Sequence, residues 1–262
     1  MKIKLSLLFY FIALISVSQT PYQIKPQLDF ALVGGSALIL TTSQVVKNNV
    51  DVLTLSEINN LSSNQINAFD RNAVYNLNES ARKASDVLAI TSILLPSTLL
   101  LDKNVRSDWV TIGVMGMEAF MWTYGLASVI KPITLRTRPY VYNPEVSMER
   151  KIEEDARYSF FSAHTASAAA MTFFGAKVYT DLYPESKWKP VVWSAAAILP
   201  IATGWTSVES GEHFPTDVIA GYIIGAAIGY SVPVMHLKKN DESKARLELT
   251  PSMRGIRLAL TF

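Results

Sequence analysis

The stretch Asp217–Leu237, "DVIAGYIIGAAIGYSVPVMHL", decides the fold. Between its first residue and His236 it carries no charge, it lacks strand-like alternation, and as a helix it is long enough to cross a bilayer. Gly221, Gly225 and Gly229 recur at the same helical face, a small-xxx-small pattern that lets another helix approach closely. Working outward, five more apolar segments run roughly 28–46, 86–101, 108–130, 164–180 and 190–205, and all read as helices. The expectation is an all-α bundle of about six helices associated with a membrane, with a soluble exported bundle as the competing form. Glu118 and Lys177 interrupt two segments and must face the bundle interior or water.

The ends and the joints divide the chain further. Residues 1–18 have a basic start, an apolar run and a Ser16-Val17-Ser18 site, the layout of a signal peptide cut before Gln19. The protein is therefore expected to be exported, to the cell membrane or the periplasm. Residues 19–85 hold the first apolar segment and a polar region with helix starts at Thr54 and Ser56. Residues 86–237 form the helical core, and 238–262 a polar tail whose weak alternation suggests a short strand.

Composition narrows the chemistry. Of 262 residues, 49% are apolar and only 18% charged, more apolar than an ordinary soluble domain. The net charge of +2 comes without a basic stripe, so no nucleic-acid partner is expected. The absence of cysteine excludes disulfides, thiolate metal sites and cysteine nucleophiles.

The polar residues of interest stand where apolar segments stop. "KPITLRTRPY" closes the third segment with Lys131, Arg136 and Arg138; "YSFFSAHT" opens the fourth with Ser159, Ser162, Ala163 and His164. "TSVESGEHFPTD" joins the fifth and sixth and carries His213 and Asp217. In an antiparallel bundle these three stretches share one end. Chain direction alone then gathers cations, two histidines, a serine and an aspartate. Lys131 and Arg138 supply positive charge for phosphate oxygens. The start of the fourth helix offers free backbone N–H groups to an anion, and Ser162 can cap that helix and donate as well. One histidine beside a carboxylate can attack phosphorus while the other protonates the leaving oxygen. A zinc site fits worse, since its few ligands would lie beside two cations.

These residues resemble the three motifs of the type-2 phosphatidic acid phosphatase superfamily, which also includes bacterial acid phosphatases and vanadium haloperoxidases. Lys131 to Arg138-Pro139 matches the first motif in full, Phe161-Ser162-Ala163-His164 the second with Pro and Gly changed, and His213 with Asp217 the end of the third. The resemblance implies a helical core of that family. It implies hydrolysis of a phosphomonoester or pyrophosphate, of a phosphorylated small molecule or a lipid, without metal or other cofactor. By the same resemblance His213 would form a phosphohistidine, Asp217 would orient it, and His164 would be the general acid. Lys131, Arg138, Ser162 and the N–H of Ala163 would hold the phosphoryl oxygens.

One departure bears on activity. Six residues before the motif histidine the family has arginine, and this chain has Ser207. Losing one donor from a transition-state clamp costs about 3–4 kcal/mol. Another cation such as Arg136 or Arg150 substitutes, or the enzyme is slow or altered in substrate, or the site only binds a phosphate or lipid headgroup. The haloperoxidases rely on the same arginine, which weakens that third identity. Ala163 in place of glycine is strained if its φ is positive and comfortable if it opens a helix. His236 reads as interfacial or structural, and Trp109, Trp188 and Trp193 as either core or membrane-interface residues.

Overall fold

The computed structural model describes residues 20–238, together with the backbone of two strands beyond them. The signal-peptide expectation lies outside the described residues. Six long helices form the body: α1 Pro26–Lys47, α2 Glu79–Leu94, α3 Trp109–Thr134, α4 Ala163–Leu182, α5 Lys189–Glu209 and α6 Pro215–His236. A 3-10 stretch, Leu95–Leu101, prolongs α2. The helices alternate in direction, so α1, α3 and α5 end where α2, α4 and α6 begin. The tail forms two antiparallel strands, β1 Arg246–Ser252 and β2 Gly255–Thr261, rather than one.

Local chemistry sets the helix ends that matter. Pro26 and Pro215 open α1 and α6 at positions where no N–H is needed. The Asn78 side chain caps α2 by accepting from Ala81 N–H at 3.0 Å. Thr54 and Glu57 form a reciprocal capping box for the short helix Leu55–Asn59, which places Ser56 inside that helix. After α3, Leu135 takes a left-handed conformation with φ 48° and turns the chain back across the bundle end.

α4 is the hub. Ala166, Ala168, Ala169, Ala170 and Ala176 are all buried, and their small side chains let neighbours crowd in. α6 comes closest: a Cβ on Gly221, Gly225 or Gly229 would lie 2.6, 2.1 or 2.0 Å from the carbonyl oxygens of Ser162, Ala166 and Ala170. The sequence spacing is constant along this seam, so α4 and α6 run parallel and in register. At the far end, Ile112, Met115, Phe174, Val178 and Val232 make the main apolar core.

The outer faces are apolar as well. Phe30, Leu38 and Val45 on α1, Val87 and Leu94 on α2, Ile198 and Trp205 on α5, and Ile219 and Ile223 on α6 are exposed. Four spans, Pro26–Lys47, Glu79–Leu101, Lys189–Glu209 and Pro215–His236, are long and apolar enough to cross a membrane. Contiguous apolar surface of this kind marks a membrane protein. Trp109 and Trp188 are exposed beside the starts of α3 and α5, whereas Trp193 is half-buried and donates to Thr180 Oγ1 at 3.0 Å. Lys177 is paired with Asp181 on its own helix, and Glu118 is wholly buried in the interior.

Candidate active site

The shared end of the bundle holds a cavity of about 520 Å³. Lys131 from the last turn of α3, Arg138 from the loop after it, and Ala163 and His164 from the first turn of α4 all line it. Ser207 from α5 and Glu212 and His213 from the turn before α6 complete the polar wall. Ile90 and Ile93 of α2 and Phe120 and Tyr124 of α3 make an apolar flank.

His213 reaches the cavity through a tight turn. Gly211 has φ +75°, and a Cβ there would lie 2.4 Å from the Asn76 carbonyl oxygen, so the turn both needs glycine's conformation and leaves no room for a side chain. The His213 imidazole is buried, and burial pulls its pKa down to about 4 despite the nearby carboxylate of Asp217. Nδ1 lies 3.8 Å from Asp217 Oδ2 and has no hydrogen-bond partner. That is an electrostatic contact, and a small ring movement would make it a hydrogen bond.

Asp217 is held by other groups. Ser159 Oγ donates to its Oδ2 at 2.6 Å, Phe214 N–H donates to the same oxygen at 2.9 Å, and Arg136 pairs with Oδ1. Arg136 also donates to Asp70 Oδ2 at 2.7 Å and to Thr216 Oγ1 at 2.8 Å, and its guanidinium lies over the Phe214 ring. Asp70 is fully buried and receives Thr216 N–H at 3.0 Å and Thr216 O–H at 2.6 Å as well. Burial pushes the Asp70 carboxyl up, but bonds from Thr216, Asn67 and Arg136 outweigh it and hold it below the usual range. Arg136 is thus a brace for the start of α6 and does not line the cavity.

His164 faces the cavity half-exposed, with Nε2 3.5 Å from Asp86 Oδ1 on α2. Ala163 stands in the first helical turn without a positive φ, so alanine suits the position and no glycine is required. Ser162 caps α4: its Oγ accepts from Thr165 N–H at 3.4 Å and Thr165 O–H at 3.0 Å. The hydroxyl is buried behind Ala163 rather than at the cavity wall.

The cations are arranged around carboxylates. Arg138 donates from Nε and Nη2 to the carbonyl and side chain of Asp155, at 2.8 and 2.7 Å. Its Nη1 donates to Glu212 Oε2 at 2.5 Å, and Arg150 Nη2 donates to Glu212 Oε1 at 2.7 Å. Burial pushes Glu212 up, but Arg138, His213 and Arg150 outweigh it and keep it ionised below its usual range. Arg150, from the short helix Met148–Lys151, lines the same cavity as Ser207 and Glu212.

The structure brings His213, His164, Lys131, Arg138 and Ala163 to one cavity, with Asp217 and Ser162 directly behind it. Asp70, Asp86 and Asp155 join them from segments to which the sequence assigned no site role. Their partners are distant in the chain, so no local motif announces them.

The family model described as PAP2 superfamily matches residues 112–241. An undecaprenyl-diphosphatase of Sulfolobus acidocaldarius is 28% identical over 141 residues, 53% of this chain and 60% of the relative. A lipid A 4'-phosphatase of Porphyromonas gingivalis is 22% identical over 150 residues, 56% of this chain and 60% of the relative. The chain thus spans about three-fifths of the length of each. The crystal structure of a transmembrane PAP2-type phosphatidylglycerolphosphate phosphatase of Bacillus subtilis aligns with TM-score 0.44 and 17% identity, over 79% of this chain and 96% of that one. The matched span contains the α3–α4 and α5–α6 joints, which bring Lys131, Arg138, His164 and His213 to the cavity, and on that evidence the chain belongs to the PAP2 superfamily.

Proposed function

We propose that this chain hydrolyses a phosphate monoester or pyrophosphate carried by a lipid, through a phosphohistidine at His213 and without a metal. The observation that carries the reading is the meeting of two histidines and three cations, Lys131, Arg138 and Arg150, in one cavity with an apolar flank. Lipid phosphatases among the relatives support the substrate class, and the flank formed by Ile90, Ile93, Phe120 and Tyr124 suits an acyl or prenyl chain.

His213 attacks phosphorus as the bond to the leaving oxygen breaks, and His164 gives that oxygen its proton. Water then attacks phosphorus as His164 takes its proton, the P–N bond breaks with its electron pair returning to His213, and phosphate leaves. Depressed basicity keeps His213 neutral and nucleophilic near pH 7. Asp217, fixed by Arg136 and Ser159, orients the ring and stabilises the positive charge that develops on it. Asp86 positions His164. Lys131, Arg138 and the Ala163 N–H hold the phosphoryl oxygens, with Ser162 fixing the helix start. Arg150 supplies the guanidinium that Ser207 lacks.

A second reading has its own observation. Ser207 puts a hydroxyl where the family has an arginine, and Glu212 holds Arg138 and Arg150, so a cavity that binds an anion without turning it over is the competing form. Phosphate release from lipid phosphoesters by wild type and His213→Ala, with acid-labile phosphate labelling, separates the two. Turnover and a label that both vanish in the variant support the enzyme. Saturable phosphate binding without turnover supports the binder.

A further inference from the structure

At the end of the bundle opposite the cavity, about 30 Å away along α6, three side chains from three helices meet. Asp29 stands in the first turn of α1, Glu118 in α3 and His236 at the end of α6. One ligand atom from each lies within 4.8 Å of the others. Glu118 and His236 are wholly buried, which leaves the structural of the two readings of the histidine.

The hydrogen bonds fix what these groups present. His236 Nδ1 lies 2.8 Å from the Val232 carbonyl oxygen, which can only accept, so Nδ1 carries a proton. In the neutral ring Nε2 is then a lone pair, and it faces Asp29 Oδ1 at 2.7 Å and Glu118 Oε2 at 3.3 Å. Both Glu118 oxygens and Asp29 Oδ2 have no hydrogen-bond partner, a costly state for buried carboxylates. Without a metal, neutrality takes two protons, one on the ring and one shared between the Asp29 and Glu118 carboxyls. A divalent cation brings the set to neutrality and gives every inward lone pair a partner.

The geometry points to a structural site for one divalent cation of the zinc, manganese or iron class, held by Asp29, Glu118 and His236. The nitrogen ligand disfavours magnesium and calcium, and the Nδ1–H bond to a backbone carbonyl is the usual outer support of a metal-bound imidazole. Bonds of roughly 2.1 Å in a tetrahedral arrangement need ligand atoms roughly 3.4 Å apart. Glu118 Oε2 meets that spacing, and Asp29 must open slightly. Its side chain is the partly exposed one of the three, so it also marks the way in. The ion would tie α1, α3 and α6 together at the end remote from the cavity.

The test uses the full chain in detergent, tag removed, stripped with a chelator and titrated with Co²⁺. The expected result is one equivalent of Co²⁺ with visible absorption bands and a rise in Tm, both abolished in Glu118→Gln. That variant keeps the shape and removes a buried charge, so metal-free it should be at least as stable as metal-free wild type. Absence of a saturable Co²⁺ spectrum in wild type, or an identical response in Glu118→Gln, overturns the site.

Discussion

Replacing Glu212 by glutamine keeps the side chain's shape and removes the charge that competes with a substrate phosphate. The carboxylate is bonded to Arg138 at 2.5 Å and to Arg150 at 2.7 Å. The Arg138 bond is shielded, with Arg138 6% and Glu212 18% exposed, and a charge-assisted bond there is worth about 1.5–3 kcal/mol. Arg150 is 22% exposed, so solvent reduces its share to about 0.5–1 kcal/mol. An incoming anion must displace about 2–4 kcal/mol of interaction. Glutamine retains a neutral acceptor, so the net relief is about 1–2 kcal/mol, or about 5- to 30-fold in affinity. Arg138 stays in place because Asp155 holds its other edge through two bonds. The assay is the inhibition constant of inorganic phosphate together with KM for a lipid phosphoester. Both should fall in Glu212→Gln while kcat holds or rises. Unchanged or weakened phosphate inhibition would refute the competition and make Glu212 a support for the two arginines.

Other expectations follow from the same site and its scaffold. Gly225→Ala sets a methyl 2.1 Å from the Ala166 carbonyl and should cost about 1–3 kcal/mol, read as a lower Tm. Gly34→Ala meets nothing within 4 Å and should instead raise Tm through a gain of roughly 0.5–1 kcal/mol; equal effects in the two variants would argue against the seam. Asp70→Asn loosens Arg136 and Thr216 behind His213, so on the proposed mechanism kcat should drop by roughly ten- to a hundredfold with little change in KM. An unaltered kcat would show that Asp70 is only structural. With His213 near 4 in the folded chain and about 6.5 unfolded, the unfolded state binds the extra proton between those values. Stability should therefore fall as pH drops from about 6.5 to 4, by roughly 3 kcal/mol in total from this group. The acid limb of kcat/KM due to His213 should lie near 4; one near 6.5 would contradict its burial.

Much of this was legible in the sequence for a simple reason. Apolar runs interrupted by charges reveal both the helices and their ends, and alternating helices bring alternate joints together. Lys131, Arg138, His164 and His213 could thus be gathered from chain direction alone. The remainder depends on contacts no window contains. Asp70 meets Arg136 across 66 residues, and Asp29 meets His236 across 207. Ser207 reads as a missing cation with Arg136 or Arg150 as its substitutes; only the fold separates the two, since Arg150 lines the cavity and Arg136 does not. Glu212 escapes a sequence reading because its two partners lie 74 and 62 residues away.

The seam of Gly221, Gly225 and Gly229 against α4 has a mechanical consequence. Backbone touches backbone along three successive turns, so a slip of one residue would drive a side chain into a carbonyl. α4 and α6 therefore tilt and shift as one strut, carrying His164 and His213 at the same end. Bilayers differ in thickness, and embedded helices adjust by tilting. Here that adjustment falls to the outer helices, which no such run of three glycines locks to α4. The spacing of the two histidines is insulated from the membrane around them.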